Sequence, residues 1–481
     1  MLMQPKLHEE CGVFGVRLAQ GQTGVILPAY QALYALQHRG QESCGIAVNR
    51  DGVIDCHKDV GLVNEVFTRD VLQKMDEGGM AVGHCRYATT GTQSRLNAQP
   101  LLVNHQKGSM AICHNGNLVN AQELRRELEL GGAIFHTTSD TEVIAYIITQ
   151  ERLKTDSIEQ AVLAAMSRIK GAYSLVVMSP QKLIAARDPH GFRPLCMGRY
   201  GDGGTVFASE SCALDAIGAC FTRDVAPGEV VVVSSEGEKS LRCADRCASS
   251  LCVFEFIYFA RPDSVIDGSG VHTARLRAGA FLALDHPVQA DVVIGVPDSG
   301  IDAAIGYARQ SGIPYGVGFI KNKYIGRTFI QPTQTERANS VRIKLNVVSS
   351  TVKGKRVVLI DDSIVRGTTS ARIVDLLREA GAKEVHMRLS APPFTHPCYF
   401  GTDIDSTDNL IAAHHSVEEI RDMIGVDSLG FLSVDYLDKL ADHSTCGFCH
   451  GCFTGDYPVD PPSCTEKFKF ERRLTDKEDR V

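Results

Sequence analysis

Over the first 240 residues the apolar positions come in short runs broken by Gly-, Asn- and Asp-containing turns, which predicts many strands and a few helices. CGVFGVRL, from Cys11, reads as a strand, and TGVILPAYQALYALQHRG as an amphipathic helix that ends near Gly40. ESCGIAVNR and VIDCHK flank Asp51-Gly52, a strong turn signal, and predict a hairpin. AVGHCRYAT from Ala81 and MAICHNGNL from Met110 predict strands that end in polar loops. Helices are expected over 121–130, 140–150 and 158–170. AYSLVVMS, KLIAARD, PLCMGRY and VVVVSS complete a mixed sheet set.

The pattern changes after about Gly237. SLRCADRCASS reads as a polar connector, and from Asp291 the chain alternates strand, helix, strand, the signature of a parallel α/β sheet. VVIGVP, KRVVLIDD and EVHMRLSAP are its buried strands, with helices over 301–310 and 369–380 between them. The polar stretch 319–345 is too long for a simple connector, and such loops are usually functional. The final segment, 465–481, holds 11 charged side chains and predicts a solvated tail.

Composition narrows the class. The 481 residues are 44% apolar and 22% charged, values typical of globular domains, and at this length two large domains are expected. A net charge of −7 offers no positive field for nucleic acid. No apolar run approaches the roughly 20 residues of a membrane span, and MLMQPKLHEE lacks the apolar core of a secretory signal, so a cytoplasmic protein is expected. Sixteen cysteines then need an explanation other than disulfides.

The segment 357–370, VVLIDDSIVRGTTS, is a buried strand that ends in two acids, Asp361 and Asp362, and a small-residue loop that opens a helix. Ligands of parallel sheets sit at strand carboxyl ends, and a helix amino terminus favours anions. Ser363, Arg366, Gly367, Thr368 and Thr369 can grip a phosphate, while the twin acids accept hydrogen bonds from ribose hydroxyls or help hold Mg²⁺. The motif resembles the 5-phosphoribosyl 1-pyrophosphate (PRPP) signature of type I phosphoribosyltransferases. GVPDSG, 295–300, resembles that family's pyrophosphate loop, which implies that Ser299 approaches the Mg²⁺. KNKYIGRTFIQPTQ, 321–334, resembles its closing loop, with Lys323 and Arg327 facing the leaving pyrophosphate.

Cys11 follows a ten-residue leader. Cleavage after Glu10 gives one residue both a thiol and a free α-amine, whose reference pKa of about 7.7–8.0 lets it act as a base near neutrality. Arg86, in GHCRYATTG, suits a substrate carboxylate, and Asn115 and Gly116, in HNGNLVN, can form an oxyanion hole. Asp140, in TTSDTE, suits an ammonium group, and Arg39, in QHRGQES, is expected near the same rim. Carboxylate, ammonium and amide recognition together describe glutamine. In this order the segments resemble the amino-terminal-nucleophile glutaminase domain of class II glutamine amidotransferases.

Cys446-Gly-Phe-Cys449-His-Gly-Cys452 places three thiols within seven residues, and Cys252 and Cys398 can complete a metal centre. Spacing alone does not separate zinc from a [4Fe–4S] cluster. Taken whole, the chain resembles glutamine PRPP amidotransferases of the subtype with a leader and a [4Fe–4S] cluster. That resemblance implies cluster ligands Cys252, Cys398, Cys449 and Cys452 and gives Cys446 no place. It implies an αββα glutaminase sandwich and then a type I phosphoribosyltransferase parallel-sheet domain, an α/β and α+β pair. The expected limits are 1–10 leader, 11–245, 246–464 and 465–481 tail. The implied reaction is glutamine + PRPP + water → 5-phosphoribosylamine + glutamate + pyrophosphate, with Mg²⁺. Feedback by purine nucleotides (AMP, ADP, GMP, GDP) and a homotetramer are further implications. A catalytically silent nucleotide-sensing regulator would leave Cys11, Arg86, Asn115 and Asp140 idle. An iron–sulfur electron carrier would leave both substrate sites unexplained.

Overall fold

The computed structural model describes residues 11–75, 78–87, 94–244, 247–322, 345–404 and 406–462. Strands up to Arg242 form two sheets, one of seven strands and one of six, and every pairing within them is antiparallel. The expected mixed set is therefore corrected: short connections between successive strands favour antiparallel neighbours, whereas parallel ones need long crossovers. The predicted hairpin is Ser43–Arg50 paired with Val53–Val60, and its turn residues Asp51 and Gly52 take φ of 49° and 90°.

Side-chain alternation explains the layering. On the strand Gly12–Arg17, Phe14 and Val16 pack outward with the helix Ile26–Ala35, while Val13 points inward. On Gly108–Leu118, Ala111 and Cys113 join Val13 between the sheets, and Met110 and Ile112 pack against the helices Asp140–Lys154 and Ile158–Met166. The result is four layers, helix–sheet–sheet–helix, as expected.

The second unit holds a four-stranded parallel sheet ordered Val292–Gly295, Arg356–Asp361, Glu384–Leu389, Ser428–Phe431. Both of its faces are covered. Val293, Val358 and Ile360 meet the helices Val271–Asp285 and Gly300–Ser311, while Val357 and Leu359 meet Thr368–Glu379 and Val417–Ile424. A short parallel pair, Leu251–Cys252 with Phe448–Cys449, ties the start of this unit to its end. Among the described residues, no helix is long and apolar enough to cross a membrane.

Helices Val271–Asp285 and Gly300–Ser311 cross at two glycines. A Cβ on Gly279 would lie 1.8 Å from the Ala303 carbonyl oxygen, and one on Gly306 would lie 1.9 Å from that of Leu276. Neither contact can be relieved by a rotamer change, because the obstacle is backbone. Gly306→Ala is expected to destabilise the fold by about 1–3 kcal/mol through overpacking. Chemical denaturation checks it, and an unchanged midpoint would contradict the crossing.

Candidate active sites and the cysteine cavity

Cys11 immediately precedes the strand Gly12–Arg17 and is buried. Antiparallel pairing sets Gly12 opposite Cys85, which brings Cys11 beside Arg86 at the end of the neighbouring strand Met80–Arg86. The Cys11 thiol donates to the Tyr87 carbonyl at 3.4 Å. Two residues before Arg86, the ring Nε2 of His84 lies 2.9 Å from the His114 carbonyl, joining the Arg86 strand to the one that carries Asn115 and Gly116. Burial pushes the His84 pKa down to about 3, so the ring is neutral and Nε2 donates.

The next residues on that strand are fixed from several sides. The Gln99 side-chain oxygen accepts from the His114 backbone N–H at 2.7 Å. Gly116 has φ 139°, and a Cβ there would sit 2.1 Å from the Ala172 carbonyl oxygen, so only glycine lets the strand kink at this point. The Asn115 Nδ2 is buried and makes no hydrogen bond among the described residues. A buried amide donor without a protein acceptor is what a site for an external oxygen requires. Asp140 opens the helix Asp140–Lys154, capped by the Ser139 hydroxyl, which accepts from Thr141 N–H. Its carboxylate accepts from Leu118 N–H at 3.0 Å and lies 3.5 Å from the His114 ring. The fold thus places Cys11, Arg86, Asn115, Gly116 and Asp140 through one strand pairing, one side-chain hydrogen bond between the two sheets and one helix start.

Arg39 is not at the rim. It is 1% exposed, and its guanidinium donates to Glu210 at 2.6 Å and to both Glu255 oxygens at 2.9 and 2.7 Å. Its Nε donates to the Cys11 carbonyl at 3.0 Å. A buried guanidinium needs partners for its charge and its N–H groups, and both carboxylates here are remote in sequence.

In the second unit, Asp361 ends the strand Arg356–Asp361 and Asp362 follows it, both buried. Ser299 donates to one Asp362 oxygen and Ser363 to the other, each at 2.5 Å. Burial raises the Asp362 pKa, and these hydroxyls together with the Arg275 charge only partly offset it. Residues 363–366 lead to Gly367, whose φ of 79° turns the chain into the helix Thr368–Glu379. Arg366, Thr368 and Thr369 therefore stand at a helix amino terminus directly after the twin acids, as the motif predicts. Lys323 and Arg327 lie outside the described residues, as do the leader and the charged tail.

Cys252, Cys398, Cys449 and Cys452 line one small cavity with Phe192, Phe400 and Tyr457. Cys252 and Cys449 face each other in the short parallel pair, and the Cys452 carbonyl accepts from Thr395 and His396 N–H. Cys446 lies elsewhere: its thiol meets Asp267 and Ser249. Among the described residues, no three His, Cys, Asp or Glu side chains converge tightly enough to hold a bare ion. The four thiols share a chamber rather than a point. Burial pushes Cys449 up to about 12, so its thiol is neutral while no metal is bound. The four sulfurs, their apolar walls and the enclosure fit a thiolate-ligated group.

A glutamine amidotransferase domain matches residues 84–216, and a phosphoribosyl transferase domain matches residues 273–393. Amidophosphoribosyltransferase of Bacillus subtilis (strain 168) is 51% identical over 459 residues, 94% of this chain and 95% of that protein. The chain belongs to the amidophosphoribosyltransferase family. Amidophosphoribosyltransferase of Methanothermobacter thermautotrophicus is 46% identical over 98% of this chain and 99% of its own. Among solved structures, the glutamine PRPP amidotransferase from B. subtilis complexed with ADP and GMP matches with TM-score 0.88 at 49% identity, covering 95% of this chain and 99% of that one. A structure described as the allosteric regulatory enzyme of purine biosynthesis matches with TM-score 0.89 at 48% identity, covering 97% and 100%. As a family member, the chain is a glutamine-dependent PRPP amidotransferase with both domains in one polypeptide.

His84, Gln99 and Glu255 were not singled out from the sequence. HNGNL marks the strand that His84 and Gln99 support, but a buried histidine or glutamine has no spacing signature, and Glu255 meets Arg39 and Arg193 far away in sequence. For an amidophosphoribosyltransferase, Asn115→Ala is expected to lower glutaminase kcat roughly 10²–10³-fold with the glutamine KM little changed. Steady-state kinetics without ammonia decides this, and an unaltered kcat would remove Asn115 from the oxyanion site.

Proposed function

We propose that residues 11–245 hydrolyse glutamine and that residues 246–464 pass the ammonia to PRPP. Once leader 1–10 is removed, the Cys11 α-amine takes the thiol proton and the thiolate attacks the side-chain amide carbon. Asn115 Nδ2 and the Gly116 N–H hold the developing oxyanion, while Arg86 holds the α-carboxylate and Asp140 the ammonium group. The C–N bond breaks, ammonia leaves with the shuttled proton, and water hydrolyses the thioester to glutamate.

Ammonia then attacks C1 of PRPP as the bond to pyrophosphate breaks and a proton is lost, giving 5-phosphoribosylamine. This is the first step of purine biosynthesis. Asp361 and Asp362 orient the ribose hydroxyls, and Ser363, Arg366, Gly367, Thr368 and Thr369 hold the 5′-phosphate. Mg²⁺ held near Ser299, Asp361 and Asp362 would neutralise pyrophosphate charge, as Lys323 and Arg327 do from the closing loop. The observation that carries this reading is one chain with a strand-end thiol beside Arg86 and, in a second sheet, strand-end twin acids before a helix.

Cys252, Cys398, Cys449 and Cys452 are the proposed ligands of a [4Fe–4S] cluster. Thiols that share a chamber without converging favour a polynuclear group over one tetrahedral zinc. The cluster would cross-link the second unit and carries no electrons in either half-reaction. Purine nucleotides (AMP, ADP, GMP, GDP) are the proposed feedback ligands, the B. subtilis relative having been solved with ADP and GMP. A cytoplasmic homotetramer completes the proposal.

Cys11→Ala should abolish glutamine-dependent synthesis while synthesis with added ammonia continues within a few-fold of wild type. Loss of both activities in a folded variant would overturn the two-site scheme. Elemental analysis of anaerobically purified protein should find iron near four per chain and little zinc. Stoichiometric zinc without iron would overturn the cluster assignment.

A further inference from the structure

The connector 97–100, NAQP, leads into the strand Leu101–His105 and is buried along its length. It touches both sheets of the first unit. On the seven-stranded side it lies against the strand Ser43–Arg50. A Cβ on Gly45 there would sit 2.4 Å from the Gln99 carbonyl oxygen, a backbone atom that no rotamer change moves. From the next strand, Val53–Val60, the Lys58 ammonium donates to the carbonyls of Ala98 at 2.5 Å and Pro100 at 3.2 Å. The backbone of the connector is thus pinned to one sheet, and two of its side chains reach elsewhere.

On the six-stranded side, Gln99 is 4% exposed and holds both backbone groups of His114. Its Oε1 accepts from the His114 N–H at 2.7 Å, and its Nε2 donates to the His114 carbonyl at 3.5 Å. That carbonyl belongs to the peptide that joins His114 to Asn115. The register of Leu101 with Ile112, carried two residues on, puts Gln99 opposite His114. Its side-chain amide therefore makes the two bonds that a strand partner would make from its backbone. Beyond Ile112 this edge of the strand has no strand neighbour among the described residues. At the start of the connector, Asn97 is 3% exposed and pairs with Thr138. Its Nδ2 donates to the Thr138 hydroxyl at 2.8 Å, and its Oδ1 accepts from the Thr138 N–H at 3.0 Å. Thr138 stands two residues before Asp140, which opens its helix.

We propose that Gln99 and Asn97 are positioning residues for glutamine hydrolysis, Gln99 for the oxyanion donors at Asn115 and Gly116 and Asn97 for the Asp140 carboxylate. The proposal deepens the function above and rests on it. By bonding through a side chain, Gln99 keeps His114 in register while the sheet ends one strand early, and the edge beside Asn115 stays open to substrate. Buried polar groups that are fully partnered rigidify what they hold. The two residues serve different moments of the reaction. Oxyanion donors are needed as charge develops, so loosening them costs kcat. The ammonium contact is made alike in the bound substrate and the transition state, so loosening Asp140 costs KM.

The test is glutaminase kinetics at saturating PRPP, beside ammonia-dependent synthesis, in wild type, Gln99→Leu, Asn97→Ala, Asn115→Ala and the double variant of Gln99→Leu with Asn115→Ala. Gln99→Leu should lower glutaminase kcat at least about tenfold with the glutamine KM within about threefold. In the Asn115→Ala background the same change should cost less than about threefold more, because the donor it positions is already gone. Asn97→Ala should raise the glutamine KM at least about tenfold with kcat within about threefold. Ammonia-dependent synthesis should stay within about threefold throughout, since the second site is untouched. An unchanged kcat in Gln99→Leu, losses that multiply in the double variant, or an equal fall of both activities overturns the role of Gln99. An unchanged KM in Asn97→Ala, or a KM rise matched by an equal fall in kcat, overturns that of Asn97. If Gln99→Leu does not fold, Gln99→Glu, which keeps the acceptor for the His114 N–H and loses the donor, is held to the same split at about threefold. A wild-type chain without glutaminase activity overturns the two-site function instead.

Discussion

Arg39 carries a full positive charge into a place that water does not reach, and Glu210 and Glu255 meet it there. Burial would raise the Glu210 carboxyl, yet His38 and Arg39 hold it well below the usual carboxylate range. Glu210 precedes the helix Ser211–Ala216 of the first unit, while Glu255 belongs to the turn that opens the second. The two units are therefore joined by a charge balance. Removing one carboxylate leaves a buried cation short of a partner, a defect that costs about 3–5 kcal/mol in comparable buried pairs. The carbonyl of Cys11, the proposed nucleophile, accepts from the same guanidinium, so the joint reaches the backbone of that residue.

A second seam reinforces the first. The segment 398–403 carries Cys398, whose neighbours turn toward the glutaminase unit. Asn117 donates to the Tyr399 carbonyl at 2.9 Å, Arg193 to that of Phe400, and the Tyr87 hydroxyl to Asp403 at 3.4 Å. Phe192 and Phe400 stack at 4.2 Å between ring centres to form one wall of the cysteine cavity. That wall thus contains one aromatic ring from each side of the joint.

Local pattern made much of this legible. Alternation marked the inner and outer faces of Gly12–Arg17 and Gly108–Leu118, Asp51-Gly52 marked the hairpin, and the twin acids marked the carboxyl end of a buried parallel strand. Ala121–Leu130 coincides with its predicted span, and the helix from Asp140 runs to Lys154, four residues past expectation. What escaped the sequence is non-local. Arg39 finds Glu210 at a separation of 171 residues and Glu255 at 216, and no spacing rule reaches so far. The π-helical turn Glu255–Phe259 escaped because the carbonyls of Phe256, Tyr258 and Ala260 accept from Arg275, a side chain of the helix Val271–Asp285. Helix Val271–Asp285 was missed because it is apolar on more than one side, packing on the sheet and on Gly300–Ser311 at once.

The short parallel pair of Leu251–Cys252 with Phe448–Cys449 has a consequence for how the molecule comes into being. The last strand of the glutaminase sandwich ends at Arg242, so that sandwich can close while the rest of the chain is still being made. The phosphoribosyl unit cannot seal its cavity until residue 449 has emerged, roughly 200 residues later. At translation rates of 5–20 residues per second this is a delay of about 10–40 s. During that interval Glu255 has emerged but sits on an unanchored segment, and Arg39 has only Glu210 to answer its charge. The backbone at Cys11 therefore waits half-supported for the carboxyl-terminal cysteines, and its final geometry is one of the last features the chain acquires.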